Sequence, residues 1–145
     1  MNSMVKVNEQ SVMLVRGDEF DHCRLQWWRD VSQARDRYTL QLSYRHGLVS
    51  GDGPDMFEAL VQVRRQIEAN GWLIAVQGAR RDTYPSGMAR DMGGGEKVYI
   101  LRSGEQTRLE DLVDTIASAD PSIIATVDQQ EEYWESWRSE SRGQY

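Results

Sequence analysis

Near the N-terminus Asp18, Glu19, Asp21, His22 and Cys23 stand close together, with His46 farther on. Imidazole, thiolate and carboxylate all bind divalent cations. Zinc sites, however, carry paired ligands at short spacings such as C-x-x-C or H-x-x-x-H, and neither spacing occurs here. A Cys-His hydrolase fails for a different reason. Neighbouring side chains on a strand point to opposite faces, so His22 is turned away from the Cys23 thiol it would have to deprotonate. Ser86, in the turn-forming Pro85-Ser86-Gly87, has no histidine in its segment to serve as base. Gly93-Gly94-Gly95 could cradle an anion on its backbone amides. It lacks the following G-K-[ST] and is followed by a strand pattern, so no helix N-terminus points at it; a flexible hairpin tip accounts for the glycines. The residue types therefore point to no catalytic residue, no metal site and no cofactor.

What remains is recognition. Residues 78–95 mix arginines, carboxylates, a tyrosine and methionines, the side chains that interfaces favour, and methionine adapts to irregular partners. Arg81, Asp82, Tyr84, Met88, Arg90 and Asp91 are the candidate contact residues there. Arg90 and Asp91 would alternatively pair with Arg80 and Asp82 and simply order the loop. A second candidate surface lies near the C-terminus. From Glu105 onward ten acids face three arginines, a balance of −7 that leaves +1 for residues 1–104. At 100° per residue, Asp128, Glu131, Glu132 and Glu135 gather on one face of a helix, opposite Gln130, Tyr133, Trp134 and Trp137. Localised acidity disfavours a nucleic-acid backbone as partner and suits a basic protein.

These surfaces need a scaffold. Residues 12–15 read as a first or edge strand ending at Gly17-Asp18, residues 23–31 as a second strand, and residues 38–44 as a third. In the third, Tyr38, Leu40, Leu42 and Tyr44 alternate with polar residues. Polar residues 32–37 supply a turn between the last two. Residues 47–53 read as a breaker segment ahead of a helix whose first residue is Pro54. That helix buries Met56, Leu60, Val63 and Ile67, with Phe57 and Val61 widening the stripe and Arg64, Arg65 and Glu68 facing elsewhere; Asn70-Gly71 stops it. Residues 72–76 read as a buried central strand, residues 77–97 as a long loop, and Val98, Ile100 and Leu101 as a strand. Residues 109–117 and 123–127 are ambiguous between helix and strand. Asp128 followed by Glu131 resembles a capping box opening a last helix over residues 129–140. The sum is one α+β domain over residues 1–140 with a frayed tail at 141–145: an antiparallel sheet of about five strands, with a central helix and a C-terminal amphipathic helix packed on it. No apolar run approaches the roughly 20 residues of a membrane span, residues 1–10 do not read as a secretory signal, and a lone cysteine suits a reducing compartment. A cytoplasmic location is the expectation.

The segment from Gly78-Ala79-Arg80-Arg81-Asp82 through Pro85-Ser86-Gly87-Met88, Arg90-Asp91-Met92-Gly93-Gly94-Gly95 and Tyr99 resembles a pattern of small bacterial proteins to which no activity is attached. In size, acidity, α+β pattern and lack of catalytic residues, the whole chain is similar to immunity proteins of contact-dependent growth inhibition systems. This is a likeness of type, so it carries no family residue onto a position here. It implies a cytoplasmic, non-enzymatic inhibitor that binds a cognate toxin domain, a basic nuclease, and covers its active site or substrate surface. It implies no direct contact with nucleic acid or membrane and leaves the oligomeric state open. The alternative is a small ligand-binding domain or enzyme in which the 78–95 loop is a lid and Arg80, Arg81 and Arg90 hold an anion.

Overall fold

A computed structural model describes residues 6–31 and 36–142, which form the expected α+β architecture. Strands β1 (Asn8–Arg16), β2 (Glu19–Asp30), β3 (Arg37–Tyr44) and β4 (Gly47–Gly53) run as an antiparallel meander, and β5 (Leu73–Ile74) adds to the far side of β1, giving the order β4-β3-β2-β1-β5. A second sheet, β6 (Thr83–Tyr84), β7 (Lys97–Ile100) and β8 (Leu112–Asp114), is ordered β6-β7-β8. Helix α1 (Met56–Glu68) covers the large sheet, α2 (Gly87–Asp91) lies between β6 and β7, and α3 (Val127–Arg142) packs beside α1 and β6.

The alternation in β3 is realised: Tyr38, Leu40 and Leu42 are buried beneath α1, whose Met56, Leu60, Val63 and Ile67 stripe is fully enclosed. The expected turn at residues 32–37 falls mostly on residues 32–35, outside the described residues, while Asp30 and Arg37 pair on either side of them. Residues 47–53 form β4, not a breaker segment. Its glycines are there because the helix lies almost on the strand: a Cβ at Gly51 would overlap the Ala59 carbonyl, and one at Gly53 would press on Glu58. On the same strand the Ser50 carbonyl accepts a hydrogen bond from Gln66 Nε2 of α1 at 2.7 Å.

Pro54 precedes α1 without opening it. The cap is Asp55, whose carboxylate accepts from the Glu58 amide at 2.8 Å. Gly71, at φ +81°, ends the helix as its spacing implied. The apolar run 72–76 is buried except for the half-buried Leu73, but its strand is only two residues long and lies at the edge of the sheet, because Val76 leaves the ladder to bridge Ser118. Residues 77–97 are not an open loop: a 3₁₀ turn at Gln77–Ala79, β6 and α2 occupy about half of it. Gly94 and Gly95, both with positive φ, form no hairpin tip. They lie against the start of α1, where the Met56 amide donates to the Gly94 carbonyl at 2.8 Å and a side chain at either glycine would strike Tyr38 or Asp55. Residues 109–117 resolve into a 3₁₀ turn at Leu109–Asp111 followed by β8, and a third 3₁₀ turn, Pro121–Ile123, precedes α3.

The capping box of α3 lies two residues earlier than Asp128. Thr126 Oγ1 accepts from the Gln129 amide and Gln129 Oε1 accepts from the Thr126 amide, while Glu68 takes the Val127 amide. The helix continues to Arg142, past the expected start of the frayed tail; residues 143–145 lie outside the described residues.

Arg64 does not face solvent. It is 1% exposed and donates to Gln130 Oε1 at 2.5 Å, to the Ala125 carbonyl at 3.0 Å and to the Gly78 carbonyl at 3.4 Å, with Glu68 at 3.8 Å. Gln130 Nε2 in turn donates to the carbonyls of Gly78 and Thr83. Burial pulls the guanidinium pKa down to about 10, still charged at neutral pH. Removing one member of such a buried set leaves the others unpaired, so Arg64→Ala is expected to cost about 3–5 kcal/mol. The check is the urea midpoint. The double variant Arg64→Met/Gln130→Leu is expected to cost less than the sum of its single changes, because neither partner is then left orphaned.

Candidate partner-binding surface

The two candidate surfaces meet. Their junction is an aromatic stack: Tyr84 of β6 lies flat on Trp134 of α3, ring centroids 4.4 Å apart and planes 12° apart, with Phe57 of α1 edge-on at 5.1 Å. Guanidinium groups close both ends. Arg138 sits 4.5 Å over Trp134, and Arg90 sits over Phe57 and Tyr84 at 5.0 and 5.7 Å while its Nη1 reaches the buried Asp55 carboxylate at 3.3 Å.

Around this stack three depressions lie side by side, each sharing a lining residue with the next. The largest, about 870 Å³, lies between α2, the glycine run and the ends of β3 and β7; Met88, Arg90 and Asp91 line it. Arg90 also lines a second cavity of about 220 Å³, shared with Tyr84, Arg65 and Glu131. Glu131 then opens into a shallow groove walled by Asp128, Glu132 and Glu135. Eight of the sequence candidates thus fall on one continuous surface. Arg81 and Asp82 do not line these depressions: Arg81 lies over the Tyr133 ring at 5.3 Å, and Asp82 makes a two-pronged pair with Arg80 at 2.8 Å.

The expected pairing of Arg90 and Asp91 with Arg80 and Asp82 is replaced by two separate arrangements. Arg80 is satisfied by Asp82 and Gln77, Arg90 by Asp55. Of the three arginines once suited to an anion, only Arg90 lines the large cleft, and it is already committed to a carboxylate. Ser86 caps α2 by accepting from the Ala89 amide at 3.0 Å. Cys23 is buried in the core while its neighbour His22 is exposed, and among the described residues no three His, Cys, Asp or Glu side chains gather to hold a metal.

Several surface residues escaped the sequence reading. Met92, 82% exposed, stands one helical turn from Met88, 71% exposed, a spacing that was visible. Arg65, which reaches Asp128 at 3.4 Å, carried no local signal, being 63 residues away. Nor did the pair at the cleft floor, where the Tyr38 hydroxyl donates to Glu96 Oε2 at 2.6 Å. Burial, then this carboxylate, push the Tyr38 pKa well above its ordinary value of 10. No helix among the described residues is long and apolar enough to cross a membrane.

Compared with models of protein families and with curated protein sequences, the chain matches none.

The Tyr38 shift has a pH consequence. An unfolded tyrosine releases its proton near pH 10 and the folded one later, so this contribution to stability is whole below about pH 10 and is lost as pH rises beyond it. Tyr38→Phe is expected to cost about 1 kcal/mol at neutral pH, for the lost hydrogen bond, and to lose less than the native protein above pH 10. Urea titrations at pH 7 to 11 check this: the gap between the two proteins should narrow as the buffer becomes alkaline.

Proposed function

We propose that the protein is an immunity-type inhibitor that binds a basic toxin domain, a nuclease by class, and covers its active site or substrate surface. The observation that carries this reading is the state of the charges on the continuous surface. Its arginines are spoken for, Arg90 by Asp55 and Arg65 by Asp128, whereas Glu131 and Glu132 engage no cation among the described residues. These two uncommitted carboxylates, flanked on the same helix by Asp128 and by Glu135 in its pair with Arg138, raise the encounter rate with a basic partner and set its register. Next to that row, Tyr84 and Trp134 form a rigid aromatic block of the kind that supplies binding energy at the centre of interfaces. Carboxylates presented this way also offer a nuclease the charge pattern of a phosphate backbone.

The test is co-purification with, and inhibition of, the C-terminal domain encoded immediately upstream of this gene. A stoichiometric complex that silences that domain is expected. Glu131→Lys/Glu132→Lys/Glu135→Lys should fold normally, since all three are exposed, and should slow association by about 10- to 1000-fold at low salt. Its association rate should also respond less to added salt than that of the native protein. A triple variant that associates as fast as the native protein would remove the acidic face from the account.

A further inference from the structure

The 870 Å³ cleft carries a charge pattern opposite to that of an anion site. Four carboxylates line it, Asp36, Asp55, Asp91 and Glu96, against three cations, Arg29, Arg90 and Lys97. Each cation already has a carboxylate: Arg29 pairs with Asp36, Arg90 with Asp55, and Lys97 with Asp114 just outside the rim. Asp91 pairs with no cation among the described residues, and Glu96, which accepts from the Tyr38 hydroxyl through one of its two oxygens, feels the charge of Arg29 but makes no ion pair with it or any other cation among those residues. The uncommitted charge is therefore negative. It shares the cleft with the exposed Met88 and Met92 and with Tyr99, which offer thioether and ring surface to a long side chain.

We infer that this cleft receives a basic side chain of the protein partner, its stem lying along Met88 and Met92 and its cationic head directed to Asp91 and Glu96. Arginine suits it better than lysine, because a planar guanidinium can stack on a tyrosine ring while donating to two carboxylates. The inference rests on the inhibitor reading only in assigning that side chain to a partner; the cleft's preference for a cation is a property of this chain alone.

The protein labelled with ¹³C at its methionine methyls is titrated with N-acetyl-arginine amide, and in parallel with the N-acetyl amides of leucine and glutamate. Saturable shifts of the Met88 and Met92 methyls with the arginine compound are expected, with much smaller responses to the other two. Asp91 is exposed and unpaired, so Asp91→Asn should leave the fold unchanged and weaken the arginine compound about tenfold. Glu96→Gln, which keeps an acceptor for Tyr38, should weaken it comparably. No saturable shift, an equal response to the glutamate compound, or a response unaffected by both substitutions overturns the inference. The two proposals fail separately. A silent cleft in a protein that still silences the neighbouring domain removes only the anchor site, and an arginine response without any complex removes only the inhibitor reading.

Discussion

One buried cation holds the two halves of the molecule in register. Arg64 belongs to α1, the helix that covers the large sheet, yet its donors reach Gly78 at the turn ahead of β6, Ala125 ahead of α3, and Gln130 within α3. A guanidinium in an apolar interior is costly unless every donor meets an acceptor, so the small sheet and the last helix have a single arrangement that satisfies it. Glu68 extends the same constraint by accepting the first amide of α3. The acidic row and the aromatic block both hang on this point. Gln130 and Glu131 are adjacent, so the residue that answers Arg64 fixes the direction in which its neighbour faces solvent.

That dependence explains which parts of the fold could be read in advance. The β3 alternation, the α1 stripe and the division of α3 into acidic and aromatic faces are local periodicities, legible from a few consecutive side chains. Strand β4 was not, because Gly-Leu-Val-Ser-Gly-Asp-Gly has the composition of a turn; it becomes a strand only where α1 presses against it too closely for side chains. Arg64 was misplaced by the rule that arginine faces water, since the glutamine that overrides the rule is 66 residues away. Asp128 looked like a cap because it precedes an acid at the right spacing, yet Thr126 and Gln129 form the reciprocal pair.

The candidate surface shows the same division. Individual residues were recognisable by type, including the four acids of α3 and Tyr84, Met88, Arg90 and Asp91. Their union into one surface was not, because it is made by Phe57 and Trp134 meeting Tyr84 from two different helices. Glu96, the other unpaired carboxylate of the cleft, became visible only when β3 brought Tyr38 to its position just ahead of β7, across 58 residues. Of Arg81 and Asp82, chosen for the same chemical reasons, Arg81 instead lies on Tyr133 of α3 and Asp82 pairs with Arg80 within its own segment.

The hydrogen bond from Gln66 to the Ser50 carbonyl reaches beyond α1 itself. An edge strand invites another chain to pair with its free backbone groups, the usual route to chain-to-chain polymerisation of β proteins. Here the helix that roofs the sheet also reaches over its rim and occupies one of those acceptors, on a strand of only seven residues that has glycines at both ends and a third at Gly51. A chain arriving at β4 would have to displace a side chain already in place and would find few side chains to hold. Growth of the sheet beyond β4 is thereby discouraged at this edge.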